Sequence, residues 1–300
     1  YPDFEYRMAY EYCANDLSDE IVGMWVCNDG PTDGESDMMI QTFYDNGKCT
    51  LTGYLPLQDD SEQVKNKATN YIVIGDLLFI AIPAEKVGGE NTIYVADKLI
   101  YTPNGTGYGD ILTLKTYPGT ESEASMSFLR VKEGLNLTDK LYAYNSAYVS
   151  NAKGTDEDFN ITGSTFNMAH IKAGDFDMMF RSVLFCMNLN ANSITQRFLT
   201  NGVDTSFDTP ITVEGNKVTL DMSASNPAYR NIEMYMFQDA DDTQLHIYMP
   251  TQSFINYFAN LEVVTLLTEG KIDPTDAAAV AKVYADMEAR VESINVSFVM

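Results

Sequence analysis

The residues able to do chemistry are few and scattered. His170 and His246 are the only histidines, and Cys13, Cys27, Cys49 and Cys186 are the only cysteines. No two cysteines share the short spacing of a zinc site, and two histidines complete the set poorly, so free buried thiols are expected. A Ser-His-Asp hydrolase needs its serine on a strained turn beside a base. Gly163-Ser164-Thr165 lacks the second glycine of that turn, and neither histidine neighbours a nucleophile-elbow pattern. His246 alternates with Leu245 and Ile247 as a sheet residue would, and His170 also reads as structural. Asp239, Asp241 and Asp242 offer the oxygen ligands that Ca²⁺ prefers, but no glycine stands at the sharp-turn position and no glutamate closes the shell. A solvated hairpin tip is expected there. Gly105-Thr106-Gly107-Tyr108-Gly109 has the glycines of a dinucleotide loop, which works only between a strand and a helix, whereas here it joins two strands. Carboxylate pairs for glycoside hydrolysis stay open among 43 acidic residues, because the separation they need, roughly 5 to 10 Å, exists only in three dimensions. No catalytic residue, metal ligand or cofactor is expected.

The whole-chain balance narrows the partners. Lys plus Arg number 19 against 43 Asp plus Glu, a net charge of -24, and such a surface repels phosphate backbones and anionic headgroups. Nucleic acid is therefore not an expected partner. Apolar residues make up 45% of the 300, enough to fill cores of two ordinary domains or one large all-β domain. The 19 Tyr and 15 Phe could line a pocket or stack on sugars, though most must be core. No apolar run approaches the roughly 20 residues that cross a bilayer as a helix. The chain opens on Tyr1 rather than a methionine, which fits a mature form trimmed of a signal or lipid-attachment segment.

The elements that must position these residues are mostly strands. A short helix-prone turn over Leu17 to Glu20 leads into a strand from Ile21 to Cys27. Asn46-Gly47 between Met39 to Tyr44 and Cys49 to Tyr54 predicts a two-residue hairpin turn pairing Phe43 with Thr50 and Thr42 with Leu51. Gly75-Asp76 predicts a second, between Tyr71 to Ile74 and Leu77 to Ile82. Strands at Ile93 to Tyr101, Ile111 to Tyr117 and Ala124 to Val131 complete a set of eight joined by short turns. That spacing argues for a sandwich or an up-and-down barrel, which removes exposed edges and leaves room for side chains or one small ligand.

The second half repeats this plan. Ile211 to Asn216 resembles Tyr71 to Asp76, each an alternating strand entering a Gly-Asx turn, and Ser297-Phe298-Val299 resembles Ser127-Phe128-Leu129. The second pair lies further apart than the first, and the extra length falls on an insertion over residues 251–290. There Phe254, Tyr257, Phe258 and Leu261 recur at helical spacing behind a Thr251 cap. Asp273-Pro274 would cap and start a second helix bearing Val280, Val283, Tyr284, Met287 and Val291. The pair would pack on the outside or end of a second barrel, or form a lid over its mouth. The expected organisation is a barrel over 1–131, a linker over 132–158 containing the polar run Ser150 to Asp158, and a second barrel over 159–300. Sequons at Asn104, Asn136, Asn160 and Asn295 read as chance matches.

Gly23-Met24-Trp25 at the start of the first strand, with Arg130 in the last, resembles the Gly-x-Trp signature of lipocalins and related calycin barrels. The resemblance implies that Trp25 plugs the floor of a small antiparallel barrel with Arg130 across its ring, and that Gly23, Trp25 and Arg130 are structural. It covers most of residues 16–131 and, more faintly, 160–300. The whole pattern is similar to lipocalin-like, calycin-type domains of extracytoplasmic lipoproteins from gut Bacteroidetes, some with two modules in tandem. The second half lacks a clear Gly-x-Trp, and Met300 stands where Arg130 stands in the first, so the floor carries over only to Trp25 and Arg130. The resemblance implies an all-β, non-enzymatic protein of the periplasm or outer-membrane surface, with a lipid anchor upstream. It would bind a small apolar or amphipathic ligand in the first barrel or act as a cell-envelope interaction module. The rival expectations are a glycan-binding surface lipoprotein with aromatic platforms and a hydrolase using acidic residues.

Overall fold

A computed structural model describes residues 17–27, 39–53, 69–82, 93–105, 109–161, 164–200, 202–239, 241–273 and 276–300. The chain divides into two compact units, Tyr1–Lys132 and Glu133–Met300. Most of its regular structure is strand.

The first unit is a closed antiparallel barrel of eight strands in sequence order. They are β1 (Gly23–Cys27), β2 (Met39–Phe43), β3 (Lys48–Gly53), β4 (Thr69–Ile74), β5 (Leu77–Ile82), β6 (Ile93–Thr102), β7 (Ile111–Thr116) and β8 (Ala124–Val131). Strand β8 returns to pair with β1, Trp25 opposite Arg130, so no edge is left open. Ahead of β1 the helix-prone segment makes one turn, with the Ile21 amide donating to the Leu17 carbonyl at 3.2 Å. The β4–β5 turn has the expected two residues, with Gly75 at φ 65°.

The β2–β3 turn is one residue longer than expected, and the register shifts with it: Phe43 faces Cys49 and Thr42 faces Thr50. The Gly47 amide donates to the Tyr44 carbonyl, so Asp45 and Asn46 form the centre of the turn. Gly47 alone takes positive φ, 74°. This is the three-residue arrangement of a turn followed by a glycine bulge, which Asn-Gly serves as well as the two-residue form.

Alternation points one residue in two of each strand into the barrel. Trp25, Cys27, Phe43, Cys49, Leu78, Leu99, Leu112 and Phe128 are almost wholly buried there and pack as one cluster. Asp97 faces the same interior and accepts a bond from Thr116 Oγ1 at 2.8 Å, while desolvation holds its carboxyl above the usual range.

The second unit has a nine-stranded antiparallel sheet in the order β10-β19-β18-β17-β16-β15-β14-β13-β9. Its first strands are β9 (Thr138–Ala143) and β10 (Ser146–Gly154). The stretch expected as a linker is thus the start of the sheet, its polar residues belonging to half-exposed strand rather than to loop. A small hairpin, β11 (Phe159–Ile161) and β12 (Ser164–Phe166), and helix α1 (Ala173–Ser182) come next. Then follow β13 (Cys186–Asn190), β14 (Ser193–Thr200), β15 (Val203–Glu214), β16 (Lys217–Leu220), β17 (Ile232–Gln238) and β18 (Leu245–Met249). Helices α2 (Thr251–Thr268) and α3 (Ala277–Arg290) precede the last strand, β19 (Val291–Val299).

Read from β10, the strand order matches that of the first barrel read from β1, but the ring does not close as the expected second barrel would. The first strand is split. Its β9 half pairs with β13 and its β10 half with β19. At the bend the Tyr144 amide donates to the Phe185 carbonyl and the Asn145 amide to the Val299 carbonyl. Between this strand and β13 the chain places β11, β12 and α1. The related Gly-Asx turns keep one bond in common: Leu99 donates to the Asp76 carbonyl, and Met236 to the Asn216 carbonyl.

The helices pack on the inner face of this curled sheet, where 251–290 was expected on the outside or end of a closed second barrel or as a lid over its mouth. Phe176 of α1 and Phe254 and Phe258 of α2 stack on one another with centroids 6.1 to 6.2 Å and 4.4 Å apart. They share a core with Leu220, Met234, Ile247 and Phe298 of the sheet. Thr251 does not cap α2; its hydroxyl donates to the Ile294 carbonyl at 2.8 Å and accepts from the Ile294 amide, tying the helix start to β19. The α3 cap is Asp276, which accepts from the Ala278 and Ala279 amides, in place of Asp273. Pro274 lies outside the described residues.

Candidate functional site

The first candidate is the cluster around Trp25, where β1 meets β8. Trp25 is 0% exposed, and its indole Nε1 donates to the Ile21 carbonyl at 2.7 Å, so its one polar atom is satisfied inside the core. The Arg130 guanidinium lies 4.6 Å from the ring centroid and donates to the Glu20 carbonyl. Asp110 lies 3.5 Å from Arg130 and accepts from Tyr101 Oη at 2.7 Å. Tyr101 keeps its proton further up the pH scale because of desolvation, with the neighbouring carboxylate adding to the effect. Gly23 begins β1 at φ 139°, a backbone that side chains disfavour. Turn, strand start and last strand are thereby joined at one place. The indole and the Tyr101 hydroxyl are satisfied within the fold, and Arg130 Nε, which makes no hydrogen bond among the described residues, faces the Asp110 carboxylate at 3.5 Å.

The other residues singled out by type are dispersed. Asp239 is buried rather than solvated: its carboxylate accepts from the Thr243 and Gln244 amides at 2.6 and 2.9 Å, which fixes the loop between β17 and β18. Asp242 receives a bond from Asn136 Nδ2. A carboxylate filled by its own loop has little left for a cation, and no group of three metal-ligating side chains occurs among the described residues. His170 is on the surface, 3.9 Å from Asp156. Cys49 and Cys186 are free thiols, Cys27 is buried in the barrel, and burial pushes the Cys49 thiol up to about 11. Cys13 lies outside the described residues, as do Gly163 and Thr106 to Tyr108. Asn295, in β19, is 2% exposed, which is incompatible with glycan attachment.

His246 is a sheet residue with its Nε2 buried and without a hydrogen bond. Burial lowers its imidazole to about 4, a nearby Asp239 offsetting part of the effect. The fold therefore favours the neutral ring. As pH falls below the unfolded value of about 6.5, the unfolded chain takes the proton first, and stability drops until about pH 4. Urea titrations across that window are expected to show the second unit losing about 3 kcal/mol that His246→Gln does not lose.

The second candidate is a hollow on the inner face of the second unit. Sheet residues Met187, Gln196, Met234, Met249 and Met300 line it together with Tyr257 of α2. Its empty space is ≈ 350 Å³ counting the part open to solvent, but the room left for water-sized spheres is only ≈ 20 Å³. The strand alternation explains the lining. Met187 faces Gln196 across β13–β14, and Gln196 faces Phe207 across β14–β15, so all three stand on one face. Phe180 and Phe185 complete the wall and begin a ladder of rings: Phe180 to Phe185 and Phe185 to Phe198 are each 5.0 Å apart, and Phe198 to Phe207 is 6.2 Å. The ladder ends in solvent, where Phe207 is 56% exposed. Tyr257 is buried against Phe258, and desolvation pushes its phenol up to about 12, with no hydrogen bond contributing.

Nothing in the sequence motifs pointed to this hollow. Tyr257 was legible only as part of a helical apolar face, and the methionines arrive from strands far apart in the chain. Another hollow, wide open and with ≈ 720 Å³ of empty space counted the same way, lies beside Arg230, Val280 and Tyr284. Its polar groups are engaged: Arg230 bonds Glu288 at 2.6 Å and stacks 4.2 Å from the Tyr284 ring. No helix among the described residues is long and apolar enough to cross a membrane.

No family model, curated protein or solved structure matches the chain.

Proposed function

We propose that this is a non-enzymatic, extracytoplasmic binding protein made of a calycin-type barrel and an opened barrel of the same strand order, carrying a small apolar or amphipathic ligand in the second unit. The observation that carries the reading is a contrast of interiors. The described interior of the first barrel is occupied by its own side chains, led by Trp25, Phe43 and Phe128. The inner face of the second unit keeps a hollow lined by thioethers and rings, with an aromatic path to solvent. Methionine linings adapt to ligands of varied shape, because the side chain is unbranched and polarizable. The ligand site moves accordingly from the first barrel to the second unit. The lipocalin-like assignment and the extracytoplasmic setting rest on the Gly-x-Trp and Arg130 resemblance.

Native mass spectrometry of gently purified protein, followed by titration with a panel of lipids and small hydrophobes, tests the reading. A retained small molecule or saturable binding is expected. An empty protein that binds nothing across the panel would rule out a carrier.

A further inference from the structure

We infer that the second-unit hollow selects an uncharged amphipathic molecule, with its apolar body among Met187, Met234, Met249 and Met300 and one carbonyl, ester or hydroxyl oxygen accepting a hydrogen bond from the Tyr257 hydroxyl. This deepens the binding reading above and rests on it.

Three observations carry the inference. First, none of the residues lining the hollow bears a charge. An anionic or cationic head group would lose its water there and gain no counter-ion, which is the costly case for a buried charge. The chain's net charge of -24 adds a long-range bias against anions. Second, Tyr257 is more than nine-tenths buried, and among the described residues nothing accepts its hydroxyl proton. A hydroxyl that no protein acceptor engages is free to donate to a ligand oxygen in the hollow that Tyr257 lines. The Phe258 ring 5.3 Å away holds the phenol in place. Third, the free space now present admits about one water, so a larger guest must displace side chains. Four of the lining residues are methionines, which rotate aside at small cost. The ladder Phe185, Phe198 and Phe207 gives an apolar guest a route inward from the exposed β14–β15 hairpin.

The test uses three probes sharing one apolar body, benzylacetone, butylbenzene and phenylbutyrate, titrated into the full chain by calorimetry. Benzylacetone is expected to bind about fivefold more tightly than butylbenzene, the worth of one neutral hydrogen bond. Phenylbutyrate is expected to bind at least about tenfold more weakly than benzylacetone. Tyr257→Phe should abolish the preference for the ketone while leaving butylbenzene within about twofold, and Gln196→Leu should retain the preference. The wild-type ranking decides the matter even if a variant folds poorly. Equal affinity for ketone and hydrocarbon, or a carboxylate bound as well as the ketone, would overturn the selectivity while leaving a binding protein. Failure of all three probes overturns it as well, and an empty native mass spectrum in that case removes the binding reading too.

Discussion

Replacing Trp25 with alanine is expected to lower the stability of the first unit by about 4 kcal/mol. The ring is fully buried at the junction of the Leu17–Ile21 turn, β1 and β8. Its removal forfeits the burial of a large aromatic surface and leaves a void that a closed barrel cannot collapse to fill. It also removes the Nε1 bond to Ile21 and the ring under the Arg130 guanidinium, leaving that cation half-buried with Asp110, the Glu20 carbonyl and the Tyr101 ring beside it. Urea unfolding followed by circular dichroism should show the barrel transition moving down by roughly 2 M, at a slope typical of a domain of this size. The second unit's transition should stay in place. An unchanged barrel midpoint would mean that Trp25 does not close this barrel.

Gly154→Ala should cost the second unit about 3 kcal/mol, although it adds a single methyl group. A Cβ built there would lie 2.1 Å from the Arg290 carbonyl oxygen and 2.6 Å from Met168 Cβ. The oxygen is backbone, at the point where α3 ends and β19 begins, and it also accepts from the Thr155 amide at 3.0 Å. Neither neighbour can give way without disturbing β10–β19 pairing, which already carries register shifts around Lys153. Gly202→Ala is the contrast. No atom lies within 4 Å of a Cβ there, and the only penalty comes from its φ of 78°, worth about 1 kcal/mol. Thermal unfolding of both variants should separate a packing role from a turn role. Equal, small losses would mean that the close approach at Gly154 relaxes freely.

The first unit was legible in sequence because several of its strands end at a strong turn signal. Asn46-Gly47, Gly75-Asp76 and Pro118-Gly119 sit where the chain reverses, and the strand set from Gly23 to Val131 follows from them. The register at β2–β3 was not legible, since one Asn-Gly pair fits two loop lengths and the choice falls to the Tyr44 and Lys48 backbone bonds. The second unit was read less well for a different reason. The residues from Ser150 to Gly154 are polar because β10 is half-exposed, and polarity without clear alternation reads as linker. Helix α1 escaped notice because its buried side, Phe176, Met179 and Phe180, is short and Gly174 stands in its first turn. Of the candidate sites, Trp25 with Arg130 was visible because two residue types at strand ends define it. The hollow was invisible, since only the curl of the sheet brings Met187, Met234, Met300 and Tyr257 together.

Amide hydrogen exchange of the full chain, with and without its bound small molecule, tests most directly whether the second unit is the ligand carrier. Protection is expected in peptides from Cys186–Thr200 and Thr251–Thr268, which carry Met187, Gln196 and Tyr257. Exchange in β1 to β8 should not change, and the emission of Trp25, the only tryptophan in the chain, should remain constant through the titration. Protection confined to the barrel strands, with a shift in Trp25 emission and none in α2, would contradict the account and return the ligand to the first unit.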